Sequence, residues 1–171
     1  MMRFALLLAL LCACAPTLPD VATLPIHPGK ARCNAVAVAP SLAVTVAHCA
    51  AGLDVVSADA VLDVAVVRLA VPVDRWATLD TTPLAVGDAV CGTCYRQGWA
   101  RQACGHVDAV MPLPAYRVTI RPPPGASGSG LWTLAGKLAG ICQGRELDTG
   151  LGLYISSARI REVWKETDHD R

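Results

Sequence analysis

Three side chains in this sequence could together build an activated nucleophile: His48, Asp63 and Ser127. A serine hydroxyl is a poor nucleophile near neutral pH. It becomes a good one when an imidazole takes its proton and a carboxylate orients that imidazole. Ser127 stands in Pro124-Gly125-Ala126-Ser127-Gly128-Ser129-Gly130-Leu131. Its flanking glycines permit a tight turn with positive φ, which can aim backbone N–H groups at a developing oxyanion; the donors would be the amides of Gly125 and Ser127. His48 follows the apolar run Leu42-Ala43-Val44-Thr45-Val46, which reads as a buried strand ending at the histidine. Asp63 opens Asp63-Val64-Ala65-Val66-Val67-Arg68-Leu69. An acid at the head of an apolar strand is partly buried and needs a partner for its charge, and an imidazole N–H is a suitable one. Asp54 and Asp59 compete for that role, but neither begins a continuous apolar strand.

Each residue taken singly has a plainer reading: a turn serine, a hydrogen-bonded structural histidine and a strand-end aspartate. Their joint presence in the order His, Asp, Ser narrows the choice. Gly-x-Ser-x-Gly fails, because the fifth position counted from Gly125 is Ser129. That motif's fold also runs Ser, acid, His, and subtilisin-type enzymes run Asp, His, Ser. Cys33 precedes His48 and Cys49 follows it; a bridge between them would close the intervening hairpin and fix the histidine at its mouth, worth roughly 3 kcal/mol for a loop of that length.

These segments resemble those of the chymotrypsin-like (trypsin-like) serine peptidases. Thr45-Val46-Ala47-His48-Cys49 is similar to that family's Thr-Ala-Ala-His-Cys, Asp63 to Leu69 to its Asp-Ile-Ala-Leu-Leu-Lys-Leu, and Gly125 to Leu131 to its Gly-Asp-Ser-Gly-Gly/Ser loop. The resemblance runs from about Cys33 to Trp164 and includes the cysteine pair beside the histidine. It implies His48 as general base, Asp63 as its orienting acid, Ser127 as nucleophile and a Cys33–Cys49 disulfide. Leu138-Ala139-Gly140-Ile141-Cys142-Gln143-Gly144 resembles the strand lining the specificity pocket, and Gly144 and Gly152 are implied to leave that pocket open. Ala126 replaces the acid that pairs with a newly cut N-terminus in zymogen-activated relatives, so activation by that route is not expected.

The elements that must position these groups read as all-β. Residues 36–41 form a strand and turn, with further strands at 42–46, 54–57, 64–69, 90–95, 99–104, 116–120, 131–134, 138–142 and 153–156. Many short strands with Gly/Pro turns suggest barrels. The expectation is two small antiparallel β-barrels of the six-stranded type, the first trimmed because little chain separates His48 from Asp63. They would occupy residues 32–80 and 81–166, with residues 71–88 as the connection. A C-terminal helix follows, in which Ile160, Val163 and Trp164 share a face and Ser157 is a candidate N-cap. Residues 167–171 form a polar tail.

The chain has 171 residues, 53% hydrophobic, with net charge +1. That fits one globular unit and gives no electrostatic case for nucleic acid. Met1-Met2-Arg3 and the apolar run from Phe4 to Leu11 suit residues 1–13 as a signal peptide; the run is too short to span a bilayer. Leu11-Cys12-Ala13-Cys14 resembles a bacterial lipoprotein box, which predicts lipidation of Cys14 and a membrane-surface location in the periplasm; ordinary cleavage, giving a secreted soluble protein, is the alternative. Residues 14–31, with four prolines, read as a lipid-anchored or flexible tether. Six cysteines remain: Cys33, Cys49, Cys91, Cys94, Cys104 and Cys142. An even count in an exported chain implies disulfides, and Cys94–Cys104 with Cys91–Cys142 is the expected pairing of the last four. A zinc site from Cys91, Cys94, Cys104 and His106 is the competing reading.

The expected function is an exported serine endopeptidase acting on polypeptides through an acyl-enzyme, without metal or cofactor. The alternative is an inactive peptidase fold serving as a binding module of the cell envelope. Oligomeric state and substrate preference are not legible in the sequence.

Overall fold

Alternating valine and alanine shape the first half of the protein. The computed structural model describes residues 22–27, 32–96, 99–112 and 115–165. Strands β1 (Thr23–Ile26), β2 (Cys33–Ala39), β3 (Leu42–Thr45), β4 (Val55–Asp59) and β5 (Val64–Arg68) form an antiparallel sheet in the order β1-β2-β3-β5-β4. Side chains alternate across a sheet. Val36, Val38, Val44, Val64 and Val66 therefore share one face, where they pack with Trp132, Ile141, Ile155, Ile160 and Val163. Ala35, Ala43, Ala65 and Val67 form the opposite face, packed against Leu53 and Leu69. Burial on both faces explains why these strands read as continuous apolar runs.

The second half is a closed barrel. Strands β6 (Ala89–Arg96), β7 (Trp99–Val110), β8 (Ala115–Val118), β9 (Gly130–Thr133), β10 (Leu138–Arg145) and β11 (Gly152–Ser156) close in the order β10-β11-β8-β7-β6-β9. Val90, Val107, Val118, Leu131, Cys142 and Tyr154 belong to its core. Helix α1 (Ser157–Lys165) packs Ile160 and Val163 into the core shared with the first sheet, and its Val163 carbonyl accepts from Ser57 Oγ at 3.0 Å. The linking segment is stitched to both halves: Ala77 N donates to Ala37 O, and Asp80 N to Leu138 O, each at 2.8 Å. The all-β, two-unit expectation with a closing helix holds. The trimmed first unit is a five-stranded sheet among the described residues.

Several details differ from the sequence reading. Part of the expected tether is β1, which pairs with β2 from Thr23↔Val36 to Ile26↔Cys33. Pro25 is tolerated because β1 lies at the sheet edge, where a missing N–H breaks no ladder. Thr23 Oγ1 lies 2.9 Å from Thr93 Oγ1, which accepts from Trp132 Nε1 at 2.8 Å, so β1 is keyed into the barrel. Strand β7 runs on to Val110, through Gly105 and His106, which interrupt the apolar pattern. The Ser157 hydroxyl donates to Asp80 O, tying the helix start to the linking segment. The expectations for residues 1–21 and 167–171 lie outside the described residues.

The disulfides are Cys33–Cys49 and Cys91–Cys104. The pairing expected for the last four cysteines is therefore wrong. Cys91 faces Cys104 directly in the β6–β7 register, whereas Cys94 faces Arg101. Cys94 and Cys142 are buried thiols. The Cys91–Cys104 bridge also consumes two of the four residues of the zinc reading. Replacing both Cys33 and Cys49 by serine is expected to cost about 2–4 kcal/mol. The check is the urea midpoint; a variant that unfolds at the wild-type midpoint would mean that this bridge does not constrain the chain.

Candidate active site

His48 and Asp63 are brought together by the ends of β3 and β5. Beyond Thr45 the chain enters a 3-10 turn, Ala47–Cys49, whose last residue is buried and bridged to Cys33. On the other side a turn links β4 to β5 and ends in Asp63. His48 Nδ1 lies 2.9 Å from Asp63 Oδ2 and 3.1 Å from Oδ1. His48 N donates to Oδ1 at 3.0 Å, and Ala47 N donates to Asp63 O at 3.1 Å. The carboxylate thus fixes both the imidazole and the turn that carries it. A carboxylate beside Nδ1 selects the Nδ1–H tautomer and leaves the Nε2 lone pair as the base. The Asp63 side chain is 16% exposed and that of His48 50%.

Asp63 has φ 57°, the one positive value among the described non-glycine residues. Such a residue costs of order 1–3 kcal/mol and persists only where its surroundings hold it. Here three hydrogen-bonding groups of the 47–48 segment do so. The strained turn also answers how so short a link can return an acid to the histidine. The competing acids have other work: Asp54 pairs with Arg68 at 3.4 Å, and Asp59 Oδ1 accepts from Val61 N and Leu62 N.

The Ser127 loop is a series of tight turns held by its own main chain. Ala126 N donates to Pro123 O at 3.1 Å and Ser129 N to Ala126 O at 2.9 Å. Gly128 N donates to Cys142 O, and Cys142 N to Ser129 O, both at 2.7 Å, which anchors the loop to β10. Gly125 and Gly128 have φ of 85° and 80°. At Gly128 a Cβ would also collide with Asn34 O and Thr45 Oγ1, so glycine is required twice over. The Gly125 and Ser127 amides have no acceptor among the described residues. They are the two amides named in the sequence analysis as candidate oxyanion donors.

A cleft of about 240 Å³ opens beside Ser127, bordered by Pro124, Gly125, Cys142, Gly144 and Arg145. Nothing lies within 4 Å of a Cβ built on Gly144, so that position leaves space at the cleft border. Gly152 does not border this cleft. A Cβ there would meet Tyr154 Cε2 at 2.7 Å and Ile120 O at 3.0 Å, so Gly152 serves strand packing instead. At the cleft base burial, and secondarily the neighbouring Cys94, pushes the Cys142 thiol up to about 12.

The structure joins His48 to Asp63 and binds the Ser127 loop to β2 through Asn34 N, which donates to Ser127 O at 2.7 Å. Asn34 follows Cys33, and Cys33 is bridged to the residue after His48, so serine and histidine hang from one covalent hinge. Ser127 Oγ and His48 Nε2 make no hydrogen bond to each other. Sequence reasoning missed Asn34 and Thr45 at this junction. The signal was present: Asn34 interrupts a buried apolar run, and a buried amide needs partners.

The fold is chymotrypsin-like. The chain resembles an inactive-form serine-to-alanine mutant of Rv3671c from M. tuberculosis H37Rv, with TM-score 0.75 and 17% identity over 88% of each chain. It also resembles the serine endoprotease from Yersinia pestis (TM-score 0.73, 19% identity, 88% of this chain and 64% of that one). The HtrA-type protease AlgW with a tripeptide gives TM-score 0.77 and 20% identity over 89% of this chain and 62% of that one. No protein-family model matches the chain, and no curated protein matches it in sequence.

With its thiol held neutral far above pH 8 and its side chain buried, Cys142 is expected to resist iodoacetamide at pH 8 in the native protein and to react once urea unfolds it. Peptide mass spectrometry reads the modification; rapid native alkylation of Cys142 would contradict the packing described.

Proposed function

We propose that the protein is a serine endopeptidase in which Ser127 is the nucleophile, His48 the base and Asp63 its orienting acid. The observation that carries this reading is the contact of His48 Nδ1 with Asp63, at 2.9 Å, on the same hinge that binds the Ser127 loop. The Ser127 Oγ proton passes to His48 Nε2 as Oγ attacks the scissile carbonyl. The oxyanion settles on the Gly125 and Ser127 amides, and the imidazolium is stabilised by Asp63. His48 then returns the proton to the leaving amine, and water repeats the sequence on the acyl-enzyme. The cleft beside Gly144 receives the side chain before the cut. Similarity to solved proteases at 17–20% identity supports this reading at the level of fold.

The protein works outside the cytoplasm, anchored at the membrane surface through Cys14. Support comes from the short apolar run after Arg3, the lipoprotein-like box and the disulfide pairs.

One observation favours a second reading. Ser127 Oγ and His48 are not hydrogen-bonded, as suits a binding module that has kept the fold without the chemistry. Resting enzymes often tighten this contact only when substrate binds, so the peptidase reading stands ahead.

A fluorophosphonate probe is expected to label the mature, oxidised protein, and Ser127→Ala and His48→Ala to abolish labelling. Asp63→Asn should slow labelling by about 10²–10⁴-fold, through the wrong imidazole tautomer. Folded wild-type protein that does not label would overturn the peptidase reading and favour the binding module.

A further inference from the structure

Asn34 is the sole asparagine of the chain. It is fully buried. Its four polar groups all have partners, and they converge from three segments: the Ser127 loop, β3 and β6. Asn34 N donates to Ser127 O and Nδ2 donates to Gly125 O, each at 2.7 Å. Thr45 Oγ1 donates to Asn34 O, and Tyr95 N donates to Oδ1, again at 2.7 Å. Exchanging the amide oxygen and nitrogen would set an oxygen against Gly125 O and an NH₂ against Tyr95 N–H, so the orientation is fixed by chemistry.

The two bonds to the loop fall on particular peptide units. Nδ2 holds the 125–126 peptide by its carbonyl, while that unit's N–H is held by Pro123 O. Asn34 N holds the 127–128 peptide by its carbonyl, while that unit's N–H is held by Cys142 O. Between them lies the 126–127 peptide, whose N–H belongs to Ser127 and is left without an acceptor among the described residues. The clamp therefore pins the units on both sides of the serine amide and engages neither that amide nor its N–H. The position is available because β3 ends at Thr45 while β2 continues back to Cys33, so the edge of β2 beside Asn34 is open for the loop.

We propose that Asn34 is a positioning residue for acyl transfer: its side chain fixes the 125–126 peptide unit, as its main-chain N–H fixes the 127–128 unit, so that the oxyanion donors and the nucleophile are set before substrate arrives. It touches neither substrate nor the reacting atoms. This inference rests on the peptidase reading. A loop held this way has no reorganisation to undergo as charge develops, and fixed donors are worth most under that condition.

The test uses the mature, disulfide-bonded protein and a fluorophosphonate, with labelling rates measured across probe concentration and normalised to the folded fraction. Asn34→Gly keeps both main-chain bonds and removes both side-chain bonds. Asn34→Asp keeps the acceptor for Tyr95 N and turns the donor facing Gly125 O into an acceptor. Ser57→Ala, which removes a remote hydrogen bond to the helix, is the stability control. The limiting labelling rate is expected to fall by about 10²-fold in both Asn34 variants, of the size seen when one oxyanion donor is lost. The half-saturating probe concentration should be unchanged, and Ser57→Ala should label at the wild-type rate. Folded Asn34 variants with a wild-type limiting rate would overturn the proposal. So would a loss confined to half-saturation, or one matched by Ser57→Ala at equal loss of melting temperature. Wild-type protein that fails to label would instead refute the peptidase reading.

Discussion

An open five-stranded sheet and a closed barrel must deliver groups to one seam, and the structure meets that constraint at a buried junction. Asn34, Thr45 and the Cys33–Cys49 bridge lie on the first sheet, and the Ser127 loop and Tyr95 on the barrel. Burying an amide without partners would cost a few kcal/mol, so the site folds only when both halves arrive with their complementary groups. The same demand accounts for Gly128, where any side chain would drive the loop away from Asn34 and Thr45.

The His48–Asp63 pair solves a different problem with different means. Little chain is available between the two residues. A strained turn closes the distance, and the carboxylate compensates the strain by accepting from both the imidazole and the main-chain amide of His48. Backbone strain, acid placement and histidine orientation are therefore one interaction. Loosening the turn would release the imidazole even with all three side chains still present.

Much of this was legible in the sequence because the signals were local. A valine run preceding His48, an acid heading a second valine run and a glycine-spaced serine each state their own environment, and the strands they imply are the strands found. What escaped were facts about pairing between distant segments. The disulfide partner of Cys91 depends on β6–β7 register, which spacing does not encode. Gly152, read as a pocket residue, is fixed by its approach to Ile120 and Tyr154. The proline count around Pro25 concealed an edge strand whose value lies in Thr23 reaching Thr93 across the seam. Asn34 was visible as an anomaly in a buried run, yet its partners lie 61 and 91 residues away along the chain.

The central claim is that Ser127, the Gly125 and Ser127 amides and His48 form one site held ready by the seam. A crystal structure of the protein after reaction with a peptidyl phosphonate tests it most directly. The account predicts phosphorus bonded to Ser127 Oγ, a phosphonyl oxygen within about 3.1 Å of both amides, His48 Nε2 turned to the adduct, and Asn34 still bonded to the loop on both sides of the serine. An adduct on another side chain, or an oxygen directed away from both amides with His48 remote from it, would contradict the account.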